Sequence, residues 1–325
     1  MQKSDVLELL GWRKVMMLNN AKANSINIMN ALLGLIPDSQ FGVISHMDYD
    51  GDHGGCGYGP TQYGDFANNG DYPYSMDQSI TSNTANVAAA INGLVLGYGA
   101  DGPESYTRAL YETYADPTLG WRAGARRFVV AWGDNIPHDC NYLLDCGGGP
   151  VTTGPDPGRN GIDGDGDDLD LATVLAGMAT DDITLIALHS GGLLALWDCY
   201  AGKTGRPGGG AFQINADGTV PGGTDIADFI ADLVQTQIGH IDNLTLEVCT
   251  PGYEDWLVSV SPASYTDIDL NVIQDFEFDI EICVPEDAEP GLYCFEVCAV
   301  GDGAEYASQR VCITVKSEIE EVPLD

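Results

Sequence analysis

Three carboxylates stand where an α/β sheet places its ligands: Asp101 and Glu104 in the run Asp101-Gly-Pro-Glu104, and Asp134 closing Trp132-Gly-Asp134. Each sits just past an apolar run, and in an open parallel sheet the loops beyond the strand ends are where ligands bind. Acidic side chains gathered there ask for a cation. Two further segments carry the same chemistry. In Asp163-Gly-Asp-Gly-Asp-Asp168, Asp163, Asp165, Asp167 and Asp168 can turn inward while glycine permits a tight backbone, as calcium with its roughly six to eight oxygens requires. The loop lacks the glycine and distal Glu of an EF-hand, and its plain alternative is a solvated acidic loop capping the helix that starts near Leu169. Asp48, Asp50 and Asp52 repeat the spacing in Asp48-Tyr-Asp-Gly-Asp52, where Asp65 or Asp71 could join them.

Other chemistries find less support. His46, His138 and His189 are scattered over strand ends and loops with no His-x-x-x-His, and read as packing or turn residues. Ser45 or Ser190 could be set beside His189 and an Asp, but no Gly-x-Ser-x-Gly elbow accompanies them, so binding rather than catalysis is expected.

The elements that must position these groups alternate. Strands are expected at Val6–Leu10, Phe41–Met47, Arg127–Trp132, Ile183–Leu188 and Ala211–Ile214. Helices are expected at Asn19–Leu35, Thr84–Leu96, Glu104–Tyr114, Leu169–Ala179, Gly192–Gly202 and Thr224–Ile238. Glu104 would then sit in the first helical turn, where the dipole favours a carboxylate. This order gives an α/β fold with a doubly wound, mostly parallel sheet over residues 1–240. Two long loops interrupt it, Asp48–Tyr74 and Cys140–Asp168, and loops that long are usually functional or metal-ordered. From Leu244 the pattern changes to short alternating strands such as Leu244-Thr-Leu-Glu-Val248 and Arg310-Val-Cys-Ile-Thr-Val315, an all-β immunoglobulin-like sandwich over 241–316. An acidic tail, 317–325, follows.

Lys and Arg number 13 against 49 Asp and Glu, a formal charge of -36. That excludes nucleic acid and anionic membrane surfaces as partners and leaves cations, calcium first. The same charge also fits a protein adapted to high salt. Nine cysteines read as disulfide stapling outside the cell, with one left over, Cys56 or Cys199. Asn243-Leu-Thr245 fits a glycosylation acceptor, and no apolar run reaches 18 residues. The start, Met1-Gln-Lys-Ser, is not a leader, so a secreted protein would be missing one here.

The stretch Asp101-Gly-Pro-Glu-Ser-Tyr-Thr-Arg-Ala-Leu110, with Leu119-Gly-Trp-Arg122 and Arg127-Phe-Val-Val-Ala-Trp-Gly-Asp134, resembles the von Willebrand factor A family, and within it the A-like domain of integrin β subunits. The resemblance covers roughly residues 5–240. It implies a metal-ion-dependent adhesion site whose divalent cation, Mg2+ or Ca2+, is held by Glu104 and Asp134 and completed by a carboxylate of a protein ligand. It further implies a neighbouring cation held by Asp101, the Pro103 carbonyl and Glu104. The family's Asp-x-Ser-x-Ser element does not match: its positions fall on Gly11, Arg13 and Val15. Either the site is degenerate or residues 1–16 are not the natural sequence there, and Glu8, in a strand that should be apolar, leans toward the second. The expected function is an extracellular or cell-surface, metal-dependent, adhesion-type protein. The alternative is a structural subunit of a surface layer or filament that packs on copies of itself, with calcium-stiffened loops.

Overall fold

The structure, a computed structural model, describes residues 3–10, 15–205, 209–217, 219–222, 225–238, 240–269, 275–302 and 304–316. Gly11, Arg13 and the acidic tail therefore lie outside the described residues. The chain divides into two compact units, 2–237 and 238–325.

In the first unit the order is β1 (Ser4–Leu10), α1 (Val15–Leu35), β2 (Ser39–Ser45), β3 (Asp52–Gly55), β4 (Tyr58–Gln62), α2 (Phe66–Asn69), β5 (Ser75–Thr81), α3 (Thr84–Gly93) and α4 (Tyr106–Ala115). There follow β6 (Arg126–Gly133), α5 (Leu171–Thr180), β7 (Ile183–His189), α6 (Leu194–Ala201), β8 (Gly210–Gln213) and α7 (Ile226–Ile238). Six strands form one sheet in the order β5-β2-β1-β6-β7-β8. All its pairings are parallel except that of β5 with β2. In register, Leu10 faces Ser45 on one side and Trp132 on the other, so β1, β2 and β6 end level with one another. Their continuations form the rim.

Alternation of side chains assigns the two faces. Leu7, Leu9, Val129, Ala131, Leu185 and Ala187 point into a core closed by Tyr106 and Leu110 of α4, Leu175 and Met178 of α5, and Trp197 of α6. Asn83 caps α3 by accepting from the Asn86 amide, and Asp170 caps α5 by accepting from that of Thr173. The helix expected to begin at Glu104 instead begins at Tyr106 with Ser105 at the N-cap, because Glu104 is engaged as extended backbone. Its amide donates to the Ile136 carbonyl and its carbonyl accepts from the His138 amide. The sequence does not announce the β3–β4 hairpin and the short α2 inside the first long loop, nor the edge strand β5, whose sequence Ser-Met-Asp-Gln-Ser-Ile-Thr is too polar to read as a strand.

On the opposite face of β1, Glu8 is fully buried. It accepts from Trp132 Nε1 at 2.9 Å and Ser25 Oγ at 3.4 Å, so the strand carries a carboxyl group with matched donors. Asp5 is matched too: Arg122 donates to it from Nε at 2.7 Å and from its amide at 2.8 Å. A strand translated out of frame has no reason to meet such partners, which favours residues 4–10 as native. Burial raises the Glu8 pKa to about 7 from 4.5, against the two hydrogen bonds. The folded state thus holds this proton more tightly than the unfolded chain does. That contribution is full below pH 4.5 and lost as pH rises through 7, roughly 3 kcal/mol in all. Glu8→Gln is expected to remove this part of the slope, so chemical denaturation at pH 5 and pH 8 should show wild type losing about 2–3 kcal/mol more than the variant does over that interval. Parallel pH profiles for the two proteins would count against it.

The second unit is built of β9 (His240–Val248), β10 (Leu257–Ser261), β11 (Tyr265–Asp269), β12 (Asp279–Ile282), β13 (Gly291–Gly301) and β14 (Ala304–Val315). One antiparallel sheet has the order β11-β9-β13-β14, another pairs β10 with β12. Trp256, Phe295 and Val297 join them with Ile282 and Val284 in one apolar cluster. Four disulfides are present: Cys56–Cys140, Cys146–Cys199, Cys249–Cys298 and Cys294–Cys312. The odd thiol is the exposed Cys283, not Cys56 or Cys199 as expected, because the long loops bring those two to partners 84 and 53 residues away. Among the described residues no helix is long and apolar enough to cross a membrane.

Candidate metal centre

Beyond the level ends of β1, β2 and β6, three loops converge. Asp48 lies three residues past β2, Asp101 in the turn before α4, and His138 five residues past β6. Asp48 and His138 are fully buried, and the Asp101 side chain is 9% exposed. His138 Nε2 stands 3.3 Å from Asp48 Oδ1 and 3.9 Å from Asp101 Oδ1. One ligand atom from each of the three lies within 4.8 Å of the other two. Among the described residues one other group of this kind occurs, Cys249, Cys298 and Glu305, and there the two sulfurs are bonded to each other.

Each member is held from behind. His138 Nδ1 lies 2.8 Å from the Thr153 carbonyl, which can only accept, so Nδ1 carries a proton, and Nε2, 3.5 Å from Asp48 Oδ2, turns toward the carboxylates, with a lone pair when the ring is neutral. The ring stacks on Tyr63 at 3.6 Å between centroids. Burial pushes the imidazole pKa down, which favours the neutral ring, while the Thr153 carbonyl acts the other way. Tyr58 donates to Asp101 Oδ2 at 3.2 Å, and the Tyr49 amide donates to Asp48 Oδ1 at 2.8 Å. Thr153 is itself fixed by donating to the Pro137 carbonyl and accepting from the Asp139 amide. Next to it Gly154 has φ +90°, and any Cβ there would run into the Tyr63 hydroxyl, so only glycine lets the loop close over the ring.

Two buried carboxylates fasten the long loop to the rest. Asp156 Oδ1 accepts from the Tyr49 hydroxyl at 2.6 Å and the Gly158 amide at 3.1 Å, and Oδ2 accepts from the Arg108 amide in the first turn of α4 at 3.0 Å. Burial raises its pKa to about 6. Glu112 receives Arg108 Nε at 2.7 Å and both Nε and Nη2 of Arg159, at 2.8 and 2.6 Å. The Cys56–Cys140 bond pins the β3–β4 hairpin to the segment carrying His138.

The residues marked by sequence fall into three groups. Asp101 and Asp48 are brought together, but by convergence with His138, which sequence spacing had placed among packing residues. Asp50 and Asp52 are exposed and turn away, Asp50 accepting from the Phe66 amide at 3.4 Å. Glu104 and Asp134 both lie near enough to act electrostatically on the buried Tyr106 hydroxyl, whose pKa is raised first by burial and then by these two charges. Pro103 lies in the turn joining Asp101 to Glu104. In the acidic loop Asp163 accepts from the Gly54 amide and meets His53 Nδ1, both at 2.9 Å. Asp165, Asp167 and Asp168 accept from the amides of Asp167, Asn160 and Gly164. No three of these carboxylates bring oxygens within 4.8 Å of one another among the described residues.

No protein-family model matches the sequence, and no curated protein matches it. Among solved structures, the chain is similar to the SpRpn10 VWA domain, with 13% identity and a TM-score of 0.39, covering 71% of this chain and 94% of that one. It is also similar to an aerotolerance-related membrane protein from Bacteroides fragilis, with 10% identity and a TM-score of 0.40, covering 72% of this chain and 98% of that one. Likenesses of this size add nothing to the sheet order described above.

Proposed function

We propose that the chain is a protein-binding module of von Willebrand factor A type, of the integrin β-like branch, in which a divalent cation orders the rim that meets the partner. The convergence of Asp48, Asp101 and His138 from three separate loops at the carboxyl ends of the strands carries this reading. Its supports are the strand order with one antiparallel edge and the Asp101-Gly-Pro-Glu104 turn. The enclosure of the triad makes the cation a fastening for the loops rather than a direct bridge to the partner. The second unit is proposed as an immunoglobulin-like sandwich that carries the module. Disulfides in both units favour an oxidising, extracellular setting.

A phage-displayed library of acidic cyclic peptides panned on the protein and eluted with EDTA tests the proposal. Enrichment of clones that bind wild type and not Asp48→Ala/Asp101→Ala is expected. Elution no better than buffer, or equal binding to the variant, overturns it. A second reading, assembly of copies into a layer or filament, is favoured by β14, a long exposed strand at the sheet's edge, beside an apolar groove of about 580 Å³ lined by Ile241, Phe276 and Tyr306. Sedimentation velocity decides it: oligomers that persist in chelator support assembly, and a monomer at every concentration excludes it.

A further inference from the structure

We infer that the ion at Asp48, Asp101 and His138 is a nitrogen-seeking transition metal of the zinc, cobalt or nickel class rather than calcium or magnesium. This rests on the reading of the triad as a cation site and adds to it the identity of the ion.

The argument starts from the proton on His138. The Thr153 carbonyl at 2.8 Å fixes a proton on Nδ1, so in the neutral ring Nε2 presents a lone pair to the Asp48 carboxylate at 3.3 Å and to the Asp101 carboxylate at 3.9 Å. Three acceptors facing one another at these distances need something positive between them, either a second proton on the ring or a cation. The surroundings are those of a ligand set. An imidazole that binds metal through one nitrogen characteristically donates the other N–H to a carbonyl or carboxylate, and ligating carboxylates are themselves hydrogen-bonded. Here His138 donates to Thr153, Asp101 receives Tyr58, and Asp48 receives the Tyr49 amide.

The donor set then chooses the metal. Calcium takes roughly six to eight oxygens and magnesium keeps water in an octahedron, and neither favours imidazole. One imidazole with two carboxylates suits zinc and its neighbours. Tetrahedral ligands about 2.0–2.1 Å from zinc stand about 3.4 Å apart; the 3.3 Å separation matches this and the 3.9 Å one needs Asp101 to close in by about half an ångström. Tyr63 stacks on the ring and the three side chains are enclosed, unlike the open loop that a large hydrated ion prefers.

The test uses the whole untagged chain, freed of metal by chelation and dialysis. Cobalt is added as a spectroscopic stand-in, and zinc, calcium and magnesium are titrated by calorimetry. One equivalent of cobalt is expected to give the visible absorption bands of a low-coordinate nitrogen and oxygen site, displaced by zinc. Zinc is expected to bind at least about 100-fold more tightly than calcium. His138→Gln is expected to lose the bands and about 100-fold in zinc affinity, while His53→Gln keeps both. Because the bands are read on wild type, failure of a variant to fold leaves the answer intact. If calcium binds and zinc does not, the identity of the ion is wrong and the cation reading stands. If no ion binds, both fall, and His138 and Asp48 share a proton.

Discussion

Replacing Cys56 and Cys140 by serine is expected to lower the unfolding free energy by about 4 kcal/mol, because the bond closes a loop of 84 residues and so removes much freedom from the unfolded chain. The same change should loosen the rim. Tyr58, Tyr63 and the hairpin that carries Tyr58 are held against His138 partly through this bond, so metal affinity should fall with stability. Guanidinium titrations of the two proteins without reductant, each with and without added zinc, measure both effects. A loss under 1 kcal/mol would mean that the buried hydrogen bonds alone hold the loops.

Glu112→Ala should cost a comparable amount, about 3 kcal/mol, since it removes the buried carboxylate from the largely enclosed Arg108, which keeps the Gly158 carbonyl and the Tyr74 ring, and releases Arg159. Arg159→Ala is the informative comparison. Its side chain is 46% exposed, so solvent screens the pair and removal should cost about 1 kcal/mol or less. Equal losses for the two variants would show that the bond to Arg159, and not the burial of Glu112, sets the energy.

The main sheet was largely legible because its central strands are buried on both faces. Runs such as Phe128-Val-Val-Ala-Trp132 and Ile183-Thr-Leu-Ile-Ala-Leu188 leave no other reading. The edge strand β5 was not, since an edge needs only one apolar face and Ser75–Thr81 barely has that. The site was half legible. Asp101 and Asp48 were marked, but by local spacing, which grouped Asp48 with Asp50 and Asp52. In the fold a chain that turns at Gly51 sends Asp48 inward and leaves the other two in water. His138 had no local signal at all, because its meaning comes from residues 37 and 90 positions away. The odd cysteine, Cys283 rather than Cys56 or Cys199, was missed for the same reason. Contacts across that distance are set by topology, and periodicity does not reach them.

Asp156 joins the amide that opens α4 to a loop nearly fifty residues downstream, and it does so from a water-free position. The segment around Asp156 is therefore expected to have no melting transition of its own. Its backbone around Gly158 should exchange hydrogen for deuterium as slowly as the neighbouring helix does, opening only when the whole first unit opens.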